Sequence, residues 1–202
     1  MGKVEEKKKQ KKDTLFSAAF ELFTSQGLNK TTISEIAEKA GVAKGTFYLY
    51  FKDKYDLRNK LIAQQASLLF TQAHEPLLKE NIEDLEEQII FLVSHIMDQL
   101  AQKKQILNFI SKNLSWGVFK TALLSKNNHY DVDFLEVYHE LLKRSERPCN
   151  EPEIMLFLII EFVGSSCHDA ILYQEPAPIE TLKPYILTVV RNIIRTHVAA
   201  ST

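Results

Sequence analysis

Only two cysteines, Cys149 and Cys167, occur in 202 residues, too few for a disulfide framework, and both are expected to stay reduced. Glycine and proline number six each, and no turn dipeptide sits between two alternating apolar runs, so hairpins have no starting point. No run approaches the roughly 18 uninterrupted apolar residues of a membrane span. No apolar segment follows the N-terminal lysines as it would in a signal peptide. These absences predict a cytoplasmic protein without a membrane partner. The chain also lacks a G-x-S-x-G elbow, a P-loop, a G-x-G-x-x-G and an H-E-x-x-H, which leaves the common hydrolase, nucleotide and zinc-protease chemistries without a foothold. Cys167 and His168 are adjacent, but neighbours on a helix point about 100° apart and do not converge. The other histidines show no ligand spacing. No metal, no cofactor and no enzymatic activity is expected.

What the chain has is an uneven charge distribution. The whole carries a formal charge of −1, yet residues 1–60 hold 13 Lys/Arg against 8 Asp/Glu and residues 61–202 hold 12 against 18. A basic head on an acidic body is expected when only one end meets a polyanion. The head opens with VEEKKKQKK, which has no apolar periodicity and reads as a disordered start.

The stretch TTISEIAEKAGVAKGTFYLYFKDK, residues 31–54, reads as two short helices around a tight glycine turn, the layout of a helix-turn-helix. Thr32 and Glu35 have capping-box spacing. Ile33, Ile36, Ala37 and Ala40 form one apolar stripe, and Gly41 stands where an αL residue ends the helix. Val42, Phe47 and Phe51 can pack back on that stripe. Lys44, Gly45, Thr46, Tyr48 and Tyr50 remain for the outer face. Lysine offers a charged donor to a base edge or phosphate, glycine admits close approach, and the tyrosines offer phenolic donors to phosphate. Upstream, Leu15, Ala18, Ala19, Leu22 and Phe23 follow helical spacing and Gly27 ends that helix. Taken alone, the same pattern also fits a helical subdomain that meets another protein.

The segment from Leu15 to Leu57, with its alanine pair, Ile36-Ala37, Ala40-Gly41-Val42, Gly45-Thr46-Phe47-Tyr48, Phe51 and Asp56-Leu57, closely resembles the N-terminal domain of TetR/AcrR-family transcriptional regulators. The resemblance implies an all-α fold, with a three-helix helix-turn-helix DNA-binding domain and a C-terminal helical ligand-binding and dimerisation domain. The expected division is 1–53 and 54–202, joined by a helix starting near 54. It implies contacts with phosphate or base edges from Thr32 and Ser34, with bases from Lys44, Gly45 and Thr46, and with phosphate from Tyr48, Tyr50 and Lys54. Three positions depart from commoner versions. Ala43 replaces a frequent capping serine, removing that cap's hydrogen bond, and Leu49 and Tyr50 stand where arginine and histidine are often seen.

Past the head, Asp53 is expected to cap a helix to about His74, with Leu57, Leu61 and Leu68 inward. Further helices are expected over 82–103, 106–124, 134–142 and 153–173. The helix over 153–173 is apolar all round at its start and then carries Gly164, Ser165, Ser166 and Ala170, small enough for another helix to approach. Leu182, Tyr185, Ile186, Val189 and Ile193 follow helical spacing in a final helix, and Pro184 is expected to fall in its first turn, where N–H groups lack partners anyway. These two helices could close one core. The resemblance instead makes them a homodimer interface, carried by Gly164, Ser165, Ala170, Ile186, Val189 and Ile193. It also implies a pocket among the middle helices for a small apolar or amphipathic inducer. His95, Phe109, Trp116 and Tyr138 are the candidate lining, three of them pairing an apolar body with a polar handle. The expected function is a ligand-responsive regulator, most simply a repressor, that binds a palindromic operator of double-stranded DNA as a dimer and is released by the inducer. The alternative is a DNA-binding or interaction module with no small-molecule response.

Overall fold

The computed structural model describes residues 3–113, 134–145 and 147–199. Among these residues the chain forms nine helices: α1 Lys3–Ser25, α2 Ile33–Lys39, α3 Lys44–Phe47, α4 Lys54–Leu77, α5 Leu85–Gln102, α6 Lys104–Asn113, α7 Phe134–Arg144, α8 Pro152–Leu172 and α9 Ile179–His197. Extended backbone pairs among them only in an isolated bridge between Cys149 and Val198. The all-α expectation holds.

Contacts divide the chain into two compact units, 1–63 and 64–202. The sequence places the division at 53/54, where α4 begins. Leu57, Leu61 and Ile62, none more than 1% exposed, belong to the first unit, so the division falls inside α4 rather than ahead of it.

In the first unit α1 already begins at Lys3, which corrects the expectation of a disordered lysine start. Glu5 and Glu6 occupy its first turn, where the helix dipole favours negative charge. Lys9 stands four and three residues beyond them, the spacing of helical ion pairing. A helix nucleated on buried Leu15 and Phe16 can therefore propagate back through the lysines. Gly27 and Gly41 take φ of +84° and +67°, the αL values that end α1 and α2. The capping box is present: Thr32 Oγ1 accepts from Glu35 N at 3.2 Å and Glu35 Oε2 accepts from Thr32 N at 2.7 Å. The Thr32 hydroxyl, which donates to Glu35 Oε2 at 2.7 Å, and after it the Thr32 N–H hold the Glu35 carboxyl below the usual carboxylate range. Phe16, Phe47 and Phe51 form the aromatic centre, with Phe16 edge-on to Phe51 at 5.2 Å between centroids.

In the second unit α5 packs against α6, α8 and α9, and α8 packs against α6 and α9. α5 begins at Leu85 rather than residue 82, because Asp84 Oδ1 accepts from Glu87 N at 3.1 Å and caps it there. α4 runs through Pro76 to Leu77, past the expected end at His74, since a proline in the last turn forfeits only one backbone bond. Leu68, expected inward, is 42% exposed, and Leu69, Phe70, Ala73 and Leu77 supply the inner row. Pro184 is the sixth residue of α9, not a first-turn residue. Its missing N–H leaves the Glu180 carbonyl without its helical donor, at an exposed residue.

One buried charge ties α5 to α9. Glu86 is 8% exposed and accepts from Arg195 Nε and Nη2, both at 2.9 Å, and from Arg191 Nη1 at 2.6 Å. Arg195 first, and Arg191 after it, hold the Glu86 carboxyl below its ordinary value against the opposing effect of burial. The depressed value makes this contribution fully present above the unfolded carboxylate pKa of about 4.3. It is lost as pH falls through the lower folded value. Glu86→Gln should cost about 1 kcal/mol at neutral pH, because Arg195 is largely solvated. Urea melts at pH 7 and pH 3 check this: the gap between variant and wild type should close at the lower pH.

Candidate nucleic-acid interface and apolar cavity

In the first unit the residues that the resemblance assigns to base and phosphate contacts lie largely on α3 and the turn that follows it. Phe47 is fully buried and holds α3 down, while Lys44, Gly45 and Tyr48 are exposed and Thr46 and Tyr50 are half-buried. Ala43 precedes α3 without a side-chain cap, as its identity predicts. Gly45 is informative because a Cβ built there meets no atom within 4 Å. Neither its φ nor any neighbour among the described residues calls for glycine at 45.

Thr32 and Ser34 are both exposed at the start of α2, but the Thr32 hydroxyl is engaged by the Glu35 carboxylate at 2.7 Å. Lys54 is placed differently from the sequence expectation. Its ammonium donates to the carbonyls of Leu28 at 2.9 Å, Asn29 at 3.3 Å and Thr31 at 2.9 Å. Three donors meet three acceptors, so Lys54 fastens the α1–α2 loop to α4 instead of offering a free ammonium to a phosphate. One residue escaped the sequence reading. Thr31 is fully buried and donates to Gly27 O at 2.8 Å, a role hidden because Thr32 beside it carried the visible capping signal. Leu49, already named as a departure from the commoner pattern, is 77% exposed in the turn after α3.

The lysines of α1 add to this basic surface. Lys8, Lys11 and Lys12 continue, one and two turns earlier, the face that carries Leu15, Ala19 and Leu22. Among the described residues none of the three is in an ion pair. The Lys12 ammonium lies 5.5 Å from the Phe16 ring centre, and Lys60 lies 5.4 Å from that of Phe51. Burial, and after it the like charge of Lys60, hold Lys12 below the ordinary lysine value.

The second unit contains an apolar cavity of about 200 Å³. Its walls come from α4 (Ala66, Leu69, Phe70), from α5 and α6, from Tyr138 and Leu141 of α7, and from α8 between Leu156 and Gly164. Among the described residues no charged side chain lines it, and Ser111 and Tyr138 carry the only side-chain hydroxyls. Of the expected lining residues, Tyr138 is there, its hydroxyl donating to Pro152 O at 2.7 Å. His95 and Phe109 are not. His95 stacks on Phe91 with centroids 4.0 Å apart and bonds its carbonyl through Nδ1 at 2.9 Å. Phe109 is 4% exposed and is not among the residues that line the cavity. Their helical spacing fits core packing as well as lining, and packing took them. Trp116 lies outside the described residues. Cys167 is fully buried, and burial pushes its thiol up to about 12, the opposite of an activated nucleophile.

The α8–α9 surface corrects the expected interface set. Ala170 and Ile186, at 1% and 2% exposure, are spent in this chain's own core. Gly164 lines the cavity. Ser165 and Val189 are exposed and Ile193 is half-buried. The inner row of α9 is Ile179, Ile186, Val190 and Ile194, roughly a quarter-turn round from the row that helical spacing alone picks out. Large apolar side chains also remain outside: Ile154 at 48% and Leu158 at 39% on α8, Tyr185 at 70% and Val189 at 40% on α9. α8 is also long and apolar enough to cross a membrane by length and composition. One of its faces is committed to the helical core, and Glu153, Glu161 and Asp169 stand exposed on the other.

Residues 15–61 match the family described as bacterial regulatory proteins, tetR family. The HTH-type transcriptional regulator YvdT of Bacillus subtilis, itself uncharacterized, is 46% identical over 61 residues, 30% of this chain and 29% of that protein. Across three curated relatives the match spans 29 to 47% of their length. Solved structures extend the likeness along the chain. FadR of Bacillus subtilis, in complex with stearoyl-CoA, superposes with a TM-score of 0.64 at 17% identity, over 90% of this chain and 98% of that one. SmeT, the repressor of the multidrug efflux pump SmeDEF of Stenotrophomonas maltophilia, gives 0.61 at 18% identity, over 94% and 91%. At such identities the likeness is one of fold.

Proposed function

We propose that this chain, whose residues 15–61 match the tetR family of bacterial regulatory proteins, is a transcriptional repressor of that family that binds a palindromic operator as a homodimer and leaves it when an apolar ligand fills the cavity of the second unit. The observation that carries this reading is the continuity of α4. One helix holds Lys54 in the first unit and Ala66, Leu69 and Phe70, three walls of the cavity, in the second. A ligand that favours a different setting of α4 biases the placement of two reading heads in a dimer. The lining favours a hydrocarbon chain, and the stearoyl-CoA bound by FadR is a ligand of that kind.

Coupling of this sort is reciprocal, at about 1–3 kcal/mol. Operator DNA should weaken ligand binding by the same factor by which ligand weakens DNA binding. Calorimetric titration of an acyl ligand into protein with and without its operator tests this. Equal affinities would remove the gating and leave the alternative, a DNA-binding module with no small-molecule response. Lys44→Ala should cost operator binding about 1–3 kcal/mol and relax one base position, whereas Tyr48→Phe should weaken all sequences alike.

The lysines of α1 give a separate expectation. Each phosphate neutralised contributes roughly 0.9 to the slope of log affinity against log salt. Changing Lys8, Lys11 and Lys12 together to Gln should flatten that slope by about 2–3 while leaving the preferred operator sequence intact. Binding measured from 50 to 300 mM salt checks it, and an unchanged slope would show that α1 stays off the DNA.

A further inference from the structure

Gly164 lies inside α8 on a wall of the cavity, with Ile160 and Val163 one turn and one residue before it. Its backbone is ordinary helix, so nothing about φ asks for glycine. A Cβ built on it meets no atom within 4 Å, so no neighbour among the described residues asks for glycine either. Inside a helix glycine is destabilising relative to alanine, because it loses more freedom and shields less backbone. The residue is costly to the folded chain and leaves a gap that none of the described residues fills.

Two occupants could fill it: a second copy of this chain, or the contents of the cavity. The helix geometry separates them. Ser165, one residue on and about 100° round, is exposed together with Leu158 and Ile154, on the face away from the core. Gly164 is turned from that face towards the cavity shared with Leu107, Ile110 and Ser111 of α6.

We propose that Gly164 is the specificity-determining residue of this cavity, its missing side chain reserving the room in which the hydrocarbon part of a ligand lies against α8. The proposal rests on the cavity being the ligand site. A side chain at 164 takes that room, so bulk there trades ligand size against packing. Alanine trims the site, and leucine occupies it with a group of the kind that already lines it.

The fluorescent fatty acid cis-parinaric acid is the probe. Wild-type protein should bind it with an emission increase, Gly164→Ala more weakly, and Gly164→Leu at least tenfold more weakly. Without probe, both variants should melt higher than wild type, because helix propensity and cavity filling act in the same direction. Both should remain dimers by light scattering. Unchanged probe affinity in Gly164→Leu overturns the role given to Gly164, and loss of the dimer at unchanged affinity assigns the gap to a second copy instead. Should the leucine variant fail to fold, Gly164→Ala carries the same comparison, since its single added carbon meets nothing. Wild-type protein that takes up no probe overturns the cavity reading itself, whatever the variants do.

Discussion

Gly45→Ala should raise the melting temperature and weaken operator binding roughly 10- to 100-fold. The stability gain follows from helix propensity, up to about 1 kcal/mol, with no clash to offset it because the added carbon meets no atom within 4 Å. For a chain of this size that is about 2–4 °C. The binding loss follows from the position of Gly45 on the exposed side of α3, beside Lys44 and two residues before buried Phe47. A methyl group there stands between the helix backbone and the floor of a groove. The displaced helix loses the base contacts on either side, worth about 1–3 kcal/mol for a good one. Thermal melts and operator titrations on one preparation measure both signs. Weaker binding with an unstable fold would place Gly45 in the architecture, and unchanged binding would take α3 off the DNA.

Leu158→Asp combined with Val189→Asp should dissociate the dimer, raising its dissociation constant by a hundredfold or more. Both side chains are about 40% exposed in the single chain, so each carboxylate is solvated in the monomer and the helical content should survive. In a four-helix interface built on α8 and α9 the same carboxylates would be buried unpaired, at a combined cost of at least about 3 kcal/mol. Sedimentation at micromolar concentration reads the mass, and circular dichroism controls for the fold. Binding to a palindrome with half-sites about 34–36 Å apart should fall to that of a lone half-site. A double variant that still sediments as a dimer would move the interface elsewhere.

The first unit was legible because its signals are local. Capping at Thr32 and Glu35, the αL glycines at 27 and 41, and the inward row ending at Phe51 each depend on residues a few positions apart, and each is present in the structure. The Lys54 tie was not legible, because it joins carbonyls 23 to 26 residues away and backbone acceptors leave no mark in sequence. The second unit was legible as helices but not in its facing. All three parts of α8 and α9 that helical spacing could not orient (Ala170, Ile186 and Gly164) turned inward, because a helix apolar on several sides gives no unique inner face. Phe109 and His95 failed as lining residues for a related reason. Aromatic spacing identifies a buried face and says nothing of whether a void lies against it.

The three carbonyls that hold Lys54 have a consequence for what a ligand can change. They join the first turn of α4 to the loop that launches α2, so the two cannot slide past one another without breaking three charge-assisted bonds. A shift of α4 then carries the reading head as one piece, with its α3 side chains in unaltered register. On the proposed mechanism, induction alters the distance between two copies of a word and leaves the spelling of each alone. The liganded dimer should keep its half-site preference and accept operators whose half-sites are respaced, which a library varying only the central spacer would reveal.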